Sequence, residues 1–227
     1  MAGGDDDKIS LFGKLKSKLI DSKQKWAEDG RLLTGTTAAP TERLPPGQRR
    51  VDNWPVLDLG VQPEIPLHAW RLFVDGEVEN PQQWKWGEFT DLPKTTLVTD
   101  IHCVTAWSRY DNKWEGVSAR DLLDIVKPKA GARHVIFHSY DTYTTNVPLA
   151  DFSAADVMLA WSWQGEAISR EHGGPLRVVI PRLYFWKSAK WIKRIEFSVH
   201  DKPGFWEVRG YHNYGDPWRE QRYDDEP

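Results

Sequence analysis

Residues 99–107 read TDIHCVTAW, a stretch in which side chains alternate as they do along a β-strand. It contains Cys103, the only cysteine among 227 residues. One cysteine forms no disulfide within the chain, so the sequence gives no sign of an oxidising compartment, and we predict a cytoplasmic protein. Free cysteine is among the most buried residue types, so core packing is the simplest interpretation of this thiol. A chemical role for Cys103 needs further signals.

Short strand-like runs lie on both sides of this stretch. Residues 70–74 alternate between apolar and other side chains and are followed by Asp75 and Gly76, which predicts a β-hairpin with a tight turn at this pair. Further strands are predicted at 96–104, 134–140, 157–163, 176–180 and 191–199. Short strands with few helices predict an α+β fold dominated by β-structure.

Two helices are predicted in addition. Ser118 and Asp121 have the spacing of a capping box, which predicts a short helix through Val126. Between residues 9 and 33, apolar side chains recur at helical spacing with lysines between them, which is typical of an amphipathic helix. We expect this helix to dock on its own domain, and contact with a membrane surface stays open as an alternative.

The domain organisation follows from composition. Residues 34–50 are rich in Gly, Pro and Thr and read as an irregular connector. We therefore divide the chain into an N-terminal helix and linker at 1–50 and a compact domain at 51–227.

Charge and composition exclude several classes of function. A formal net charge of −3 gives no concentrated basic surface, so we expect no nucleic-acid partner. No run of about 18 apolar residues is present to span a bilayer. Zinc is not favoured, because His102 and Cys103 are neighbours on a strand and point to opposite faces. A catalytic thiol stays open.

A second stretch, residues 172–193, reads HGGPLRVVIPRLYFWKSAKWIK. It contains a glycine pair, then Arg177 at the start of a strand, and then a loop with Lys187, Ser188 and Lys190. Small residues let the backbone approach a ligand, and Arg, Lys and Ser side chains offer charge-assisted hydrogen bonds to an anion such as a phosphate. A solvated basic loop is the alternative interpretation.

Taken together, three stretches resemble the molybdenum-cofactor domain of the sulfite oxidase family, which includes plant-type nitrate reductases and the catalytic subunit of the periplasmic methionine-sulfoxide reductase. CVTAWS at 103–108 is similar to the reductase pattern Cys-Val-Glu-Ala-Trp-Ser. HGGPLRVVIP at 172–181 resembles the family's His-Gly-x-Pro-Val-Arg-Val-Val-Val-Pro, and KSAKWIKRIEF at 187–197 resembles its Lys-Trp strand. The resemblance spans residues 53–206 and implies the family's α+β fold.

The resemblance also implies a function and a set of site residues. It implies an oxidoreductase that transfers an oxygen atom to or from a small substrate, with the Cys103 thiolate as a ligand to molybdenum. Tyr143 matches the tyrosine that faces the metal centre in sulfite oxidases and is the candidate catalytic group, with Arg109 or Arg182 as positive charge for an anionic substrate. The implied contacts to the pterin and its phosphate are Asn53, Ser139, His172, Arg177, Lys187, Ser188 and Lys190.

Two departures from the family patterns bear on the substrate. Thr105 stands where the reductase has glutamate, and Arg109 comes one position later than the arginine that helps to bind sulfite in sulfite oxidases. Oxidation of a sulfite-like anion and reduction of an S- or N-oxide therefore both stay open. A separate electron-transfer partner is implied, because the sequence shows no haem, flavin or nucleotide motif. The rival hypotheses are a non-catalytic β-rich domain that holds a pterin or a protein partner, and a zinc or thiol enzyme.

Overall fold

The computed structural model describes residues 21–22 and 41–224. The predicted helix at 9–33 therefore lies outside the described residues, apart from two positions, and it stays a prediction. The division at residue 50 stays a prediction as well. Among the described residues, no helix is both long enough and apolar enough to cross a membrane.

Strands make up most of the regular structure, as the α+β prediction requires. The strands of the described region are β1 Arg49–Arg50, β2 Arg71–Gly76, β3 Gln82–Lys85, β4 Thr95–Cys103, β5 Trp107–Ser118, β6 His134–Ser139, β7 Thr144–Pro148, β8 Met158–Trp163, β9 Glu166–Ala167, β10 Arg177–Val179 and β11 Ile192–Ser198. The helices of the same region are α1 Trp86–Thr90, α2 Ala119–Val126 and α3 Leu149–Phe152. The β-rich α+β prediction is confirmed.

The strands form two sheets. The first has the path β1-β5-β8-β10, with β4 paired to β5 and β9 paired to β8. The second has the order β3-β2-β11-β6-β7. Strands β1 and β5 run parallel, as do β2 and β11, and the remaining pairs are antiparallel. The long β4–β5 hairpin brings Cys103 directly opposite Trp107, which places the thiol at the tip of the first sheet.

Burial follows the sequence pattern where the pattern was clearest. Leu72 and Val74 of β2 are fully buried while the residues between them are half-buried, so the alternation marks a core face. In α2, the buried residues Ala119, Leu122 and Val126 follow helical spacing. The Ser118 hydroxyl accepts a hydrogen bond from the Asp121 backbone N–H at 3.0 Å, which confirms the predicted cap.

The tight turn predicted at Asp75 and Gly76 is wrong, although the hairpin itself is present. Strand β2 continues through Gly76, and β3 begins only at Gln82, so the connection runs through residues 77–81. Gly76 has a φ of +86°, and a Cβ atom there would overlap the carbonyl oxygen of Phe197 in β11. The glycine is therefore required by a positive φ and by close packing against β11.

Candidate active site

A cavity of about 140 Å³ lies where the tip of the β4–β5 hairpin meets the loops around β10 and the segment that follows β11. Its walls come from separate parts of the chain. The residues that line it are Trp54, Pro55, Leu57, Asp58, Leu59, Cys103, Val104, Thr105, Trp107, Ser139, Asp141, Tyr143, His172, Arg177, Phe185, Trp186, Ser188, Ala189, Lys190, Trp191, Trp206 and Tyr211. The two stretches that the sequence singled out therefore meet at one site.

Cys103 is the last residue of β4 and is held by its backbone. Its carbonyl oxygen accepts hydrogen bonds from the Ala106 N–H at 3.0 Å and from Gln48 Nε2 at 3.0 Å. Ala106 closes the turn with a φ of +63°, a conformation that is uncommon outside glycine. The turn is thus built to fix the position of the thiol.

Cys103 as a whole residue is 5% exposed. Burial raises its pKa, because a thiolate is poorly solvated inside the protein. A hydrogen bond from the Thr105 hydroxyl to Sγ, at 3.2 Å, acts in the opposite direction, as do the charges of Arg222 and Lys190. The site therefore offers partial stabilisation for a thiolate, and a metal cation would supply the rest.

Arg177 places a positive charge at the cavity wall and is 1% exposed. Its guanidinium donates to the carbonyl oxygens of His172 at 2.6 Å and Ser188 at 2.8 Å, and it lies over the Phe185 ring at 4.2 Å. Burial lowers the pKa of Arg177, and no carboxylate among the described residues offsets that effect. A buried cation without a paired anion is costly, so this wall is suited to an anionic group.

His172 lines the same wall as a neutral imidazole. Its ring stacks on Trp54 with centroids 4.0 Å apart. Nε2 lies 3.2 Å from the Trp54 carbonyl oxygen, which only accepts, so this nitrogen carries the proton, and Nδ1 accepts from the Ser169 hydroxyl at 2.9 Å. Burial lowers the pKa of His172, which keeps the ring neutral near pH 7.

Three further predicted cofactor contacts line the cavity. The Ser139 hydroxyl is buried and has no hydrogen-bond partner in the described structure. The Ser188 hydroxyl accepts from the Ile180 backbone N–H at 2.9 Å. Lys190 Nζ donates to the carbonyl oxygen of Leu57 at 2.7 Å and to that of Glu171 at 2.6 Å. The Ser139 hydroxyl is therefore free to bond a ligand, and the Ser188 hydroxyl keeps its proton for donation.

Tyr143 lines the cavity with its phenol protonated. The hydroxyl donates to the Trp186 carbonyl oxygen at 2.7 Å. Burial, together with the negative charge of Glu207, raises the pKa of Tyr143 well above its ordinary value. Near neutral pH the phenol is therefore a hydrogen-bond donor and not a base.

Lys187 lies outside the cavity lining, unlike its neighbour Ser188. Its ammonium group is fully buried and pairs with Glu207 Oε1 at 2.6 Å. It also donates to the carbonyl oxygens of Asn146 and Asn213, at 3.0 and 2.7 Å. Its hydrogen bonds are thus made within the protein, which differs from the phosphate contact expected from the loop sequence. Glu207 is 20 residues away in the chain, so no local motif could reveal it.

Three other predicted residues also lie outside the cavity lining. Asn53 is exposed, although the adjacent Trp54 lines the wall. The Arg109 guanidinium lies over the Trp163 ring at 4.6 Å and donates to the Asp52 carbonyl oxygen at 3.2 Å. Arg182 pairs with Asp156 at 2.8 Å. Neither arginine faces the thiol as the substrate prediction requires.

Aromatic side chains form much of the cavity wall, and Tyr143 is the one among them that the sequence analysis assigned to the site. Trp107 is 3% exposed, and its Nε1 has no hydrogen-bond partner within the described residues. Trp206 and Tyr211 stack on each other with centroids 4.8 Å apart. The sequence feature that could have indicated an aromatic wall is the total of 13 tryptophans, one of which, Trp107, follows Cys103 closely in the chain. The structure pairs Trp107 with Cys103 across the hairpin.

The described residues offer no cluster of side chains suited to zinc. No group of three or more His, Cys, Asp and Glu side chains in the described part of the chain could hold a metal ion. His102 Nδ1 bonds the Ser108 hydroxyl at 2.8 Å in a buried position, as expected for a residue that faces away from Cys103. The zinc hypothesis is therefore not supported.

The cavity fits a planar, anionic cofactor that carries a soft metal. The thiol of Cys103 is a soft donor, the Arg177 guanidinium lacks a paired anion, and aromatic faces suit a flat ring system. The buried polar atoms without partners, Ser139 Oγ and Trp107 Nε1, are groups that such a cofactor would satisfy. Fold and cavity together define a β-rich domain with a site suited to a planar, anionic cofactor.

A comparison with protein families identifies the family to which this domain belongs. Residues 59–206 match the family described as the oxidoreductase molybdopterin binding domain. The chain belongs to this family, and the resemblance to sulfite oxidases is confirmed. It is an enzyme, a molybdopterin-dependent oxidoreductase, and its cofactor is the molybdenum cofactor.

Several relatives share this domain. The uncharacterized oxidoreductase YuiH of Bacillus subtilis is 45% identical over 80% of this chain and 92% of its own length. The sulfite oxidase of Arabidopsis thaliana is 29% identical over 64% of this chain, and the methionine-sulfoxide reductase catalytic subunit MsrP of Burkholderia mallei is 28% identical over 65%. This chain covers 46% and 49% of those two proteins, about half of each.

A solved structure shows the same fold. The sulfane dehydrogenase SoxCD from Paracoccus pantotrophus aligns with a TM-score of 0.56 at 22% identity. The alignment covers 61% of this chain and 40% of that one. The likeness supports the architecture described above.

Proposed function

We propose that this enzyme transfers an oxygen atom to or from a small uncharged substrate, with reduction of an S-oxide or N-oxide as the favoured direction, and that Cys103 Sγ is the protein ligand to molybdenum. The observation that carries the proposal is the position of a buried, backbone-fixed thiol at the wall of an aromatic cavity that also contains an uncompensated guanidinium. Oxidation of a sulfite-like anion is the second candidate.

An uncharged substrate is favoured by the placement of the cations. Arg109 and Arg182, the arginines predicted to attract an anion, lie outside the cavity lining. Arg177 and Lys190 do line it, but both donate to backbone carbonyls, and we assign their charge to the cofactor's phosphate. The remaining lining is mainly aromatic and aliphatic and includes the carboxylates of Asp58 and Asp141, so it favours the apolar part of a neutral oxide over a hydrated anion.

The protein's own groups then have distinct roles. Arg177 and Lys190 supply positive charge for the cofactor, while Ser139 and His172 lie against it. Tyr143 keeps its proton near neutral pH and would donate it to the substrate oxygen in place of the Trp186 carbonyl oxygen, which accepts it in the structure. Trp186, Trp206 and Tyr211 keep bulk water away from the thiol. When bound, the cofactor would supply the two-electron redox chemistry that oxygen-atom transfer needs.

We propose in addition a separate electron-transfer partner and a cytoplasmic location. The partner is supported by the names of two relatives, a catalytic subunit and a second reductase subunit, since a subunit acts with another protein. The location is supported by the single cysteine, which forms no disulfide within the chain.

The proposal is tested by elemental analysis combined with turnover in both directions. Purified enzyme should contain close to one molybdenum atom per chain and should oxidise a reduced viologen dye in the presence of a dialkyl sulfoxide or an amine N-oxide. The same preparation is assayed for sulfite oxidation with ferricyanide. Faster turnover of sulfite would favour the second candidate, and stoichiometric molybdenum without turnover of either class would favour a non-catalytic pterin-binding domain.

A further inference from the structure

We infer that Thr105 is a positioning residue that acts through Cys103: its hydroxyl donates a hydrogen bond to the sulfur and thereby limits the electron density that the thiolate gives to the metal. The inference rests on the proposed role of Cys103 as the metal ligand. It adds a residue that sets the redox balance of the site.

The contact is direct and buried. Thr105 Oγ1 lies 3.2 Å from Cys103 Sγ, and Thr105 is 8% exposed. A threonine hydroxyl has a single proton, and here that proton is directed at the sulfur. Both residues line the cavity, so the hydrogen bond lies where the ligand binds.

The surrounding turn fixes Thr105 in place. The Ala106 N–H closes the turn onto the Cys103 carbonyl oxygen at 3.0 Å, and the Arg49 N–H donates to the Ala106 carbonyl oxygen at 3.1 Å. The side-chain amide of buried Gln48 also donates to the Cys103 carbonyl oxygen, at 3.0 Å. These bonds fix the backbone before and after Thr105, which keeps its hydroxyl beside the sulfur.

The chemical effect follows from the charge of the thiolate. A donated hydrogen bond draws electron density from the sulfur, which weakens its donation to the metal. Hydrogen bonds to metal-bound sulfur are among the protein features that set reduction potentials. Because the reduced centre carries more negative charge than the oxidised centre, this hydrogen bond stabilises the reduced state.

The test compares variants in the metal-loaded enzyme by two readouts other than turnover. Thr105→Val keeps the shape of the side chain but removes the hydroxyl donor. Thr105→Ala also removes the donor and leaves a smaller side chain. Thr105→Ser retains a hydroxyl. We expect Val and Ala to shift the thiolate-to-molybdenum absorption band to longer wavelength and the reduction potential to a more negative value. Thr105→Ser should stay close to the wild-type enzyme in both.

The outcomes separate this inference from the proposed function. An absorption band that disappears in Cys103→Ser but is unchanged in Thr105→Val and Thr105→Ala would overturn the role of Thr105 and leave Cys103 as the ligand. A band and potential that are unchanged in Cys103→Ser itself would overturn the proposed ligand. Shifts of equal size in Val, Ala and Ser would point to packing and would also contradict the role of the hydroxyl.

Discussion

Arg177 and Lys187 are both buried cations, but the structure gives them different partners. Lys187 is paired with Glu207 and amide oxygens inside the protein, whereas Arg177 contacts carbonyl oxygens and aromatic faces at the cavity. A paired cation contributes to the folded state whether or not a ligand is bound. An uncompensated cation at a cavity gains its counter-charge only when an anion binds.

This contrast predicts opposite outcomes for two matched variants. Lys187→Met leaves the Glu207 carboxylate buried without its cation and should lower the free energy of unfolding of the cofactor-free protein by about 3–5 kcal/mol. Arg177→Met removes a costly buried charge, so it should change that stability much less while lowering the molybdenum content of the purified enzyme. Urea unfolding of the cofactor-free protein and metal analysis of the loaded protein measure the two effects.

A double variant serves as the control for the ion pair. Lys187→Met combined with Glu207→Gln removes both charges and should recover part of the lost stability. If Lys187→Met reduced molybdenum content without changing the unfolding of the cofactor-free protein, Lys187 would be a cofactor contact as its loop sequence suggests.

At the residue scale, the sequence indicated which short motifs contribute to the cavity, and the roles assigned to their residues stay predictions. Cys103, His172 and Arg177 lie in two recognisable stretches, and the structure brings both to one cavity. Lys187 lies in such a stretch as well, but its partner Glu207 is close only in three dimensions. Residue spacing along the chain carries no information about that pairing.

The strand pair β5–β8 supports the β4–β5 hairpin that carries the thiol. Gly116 of β5 lies opposite Ala160 of β8, next to a shift in register. A Cβ atom at Gly116 would overlap the carbonyl oxygen of Leu159. The absence of a side chain at this point lets the two strands approach closely.

We predict that Gly116→Ala destabilises the protein by about 1–3 kcal/mol, because the added methyl group must separate β5 from β8. Gly87, in helix α1, is the matched control, because a Cβ atom there would meet no other atom within 4 Å. Gly87→Ala should be neutral or stabilising by up to about 1 kcal/mol. Equal effects of the two substitutions on urea unfolding would argue against the close approach of the strands.

Element positions were predicted well where burial imposes a clear period. Alternation along β2 and helical spacing in α2 both match the buried faces. The turn predicted at Asp75-Gly76 was wrong because a glycine in a strand and a glycine in a turn look alike in sequence. Only the packing of Gly76 against Phe197 distinguishes them.

At the scale of the whole molecule, the site depends on segments far apart in the chain. The cavity wall combines residues near position 54, the β4–β5 turn, the loop before β11, and Trp206 and Tyr211. The sequence did not predict that Trp206 and Tyr211 would form part of the cavity. That contribution follows from how the two sheets and their loops meet, which no local pattern specifies.

The N-terminal helix provides a prediction at this scale. If residues 9–33 dock on the domain, deleting residues 1–40 should lower the melting temperature. The apolar side chains that would lose their burial are Phe12, Leu15, Leu19 and Trp26. Full burial of one such side chain stabilises the folded state by about 1.5–3 kcal/mol. Thermal unfolding of the full-length and truncated chains measures this loss. A truncated chain that melts like the full-length one but no longer co-sediments with anionic vesicles would instead indicate attachment to a membrane surface.

The most direct test of the account is the coordination of the metal itself. X-ray absorption at the molybdenum edge counts the sulfur neighbours of the metal in the wild-type enzyme and in Cys103→Ser. Because a serine oxygen is a harder donor, we predict that the variant keeps the cofactor but has one sulfur neighbour fewer and has lost turnover. An unchanged number of sulfur neighbours in a folded, molybdenum-loaded Cys103→Ser enzyme would contradict the assignment of Cys103 as the ligand.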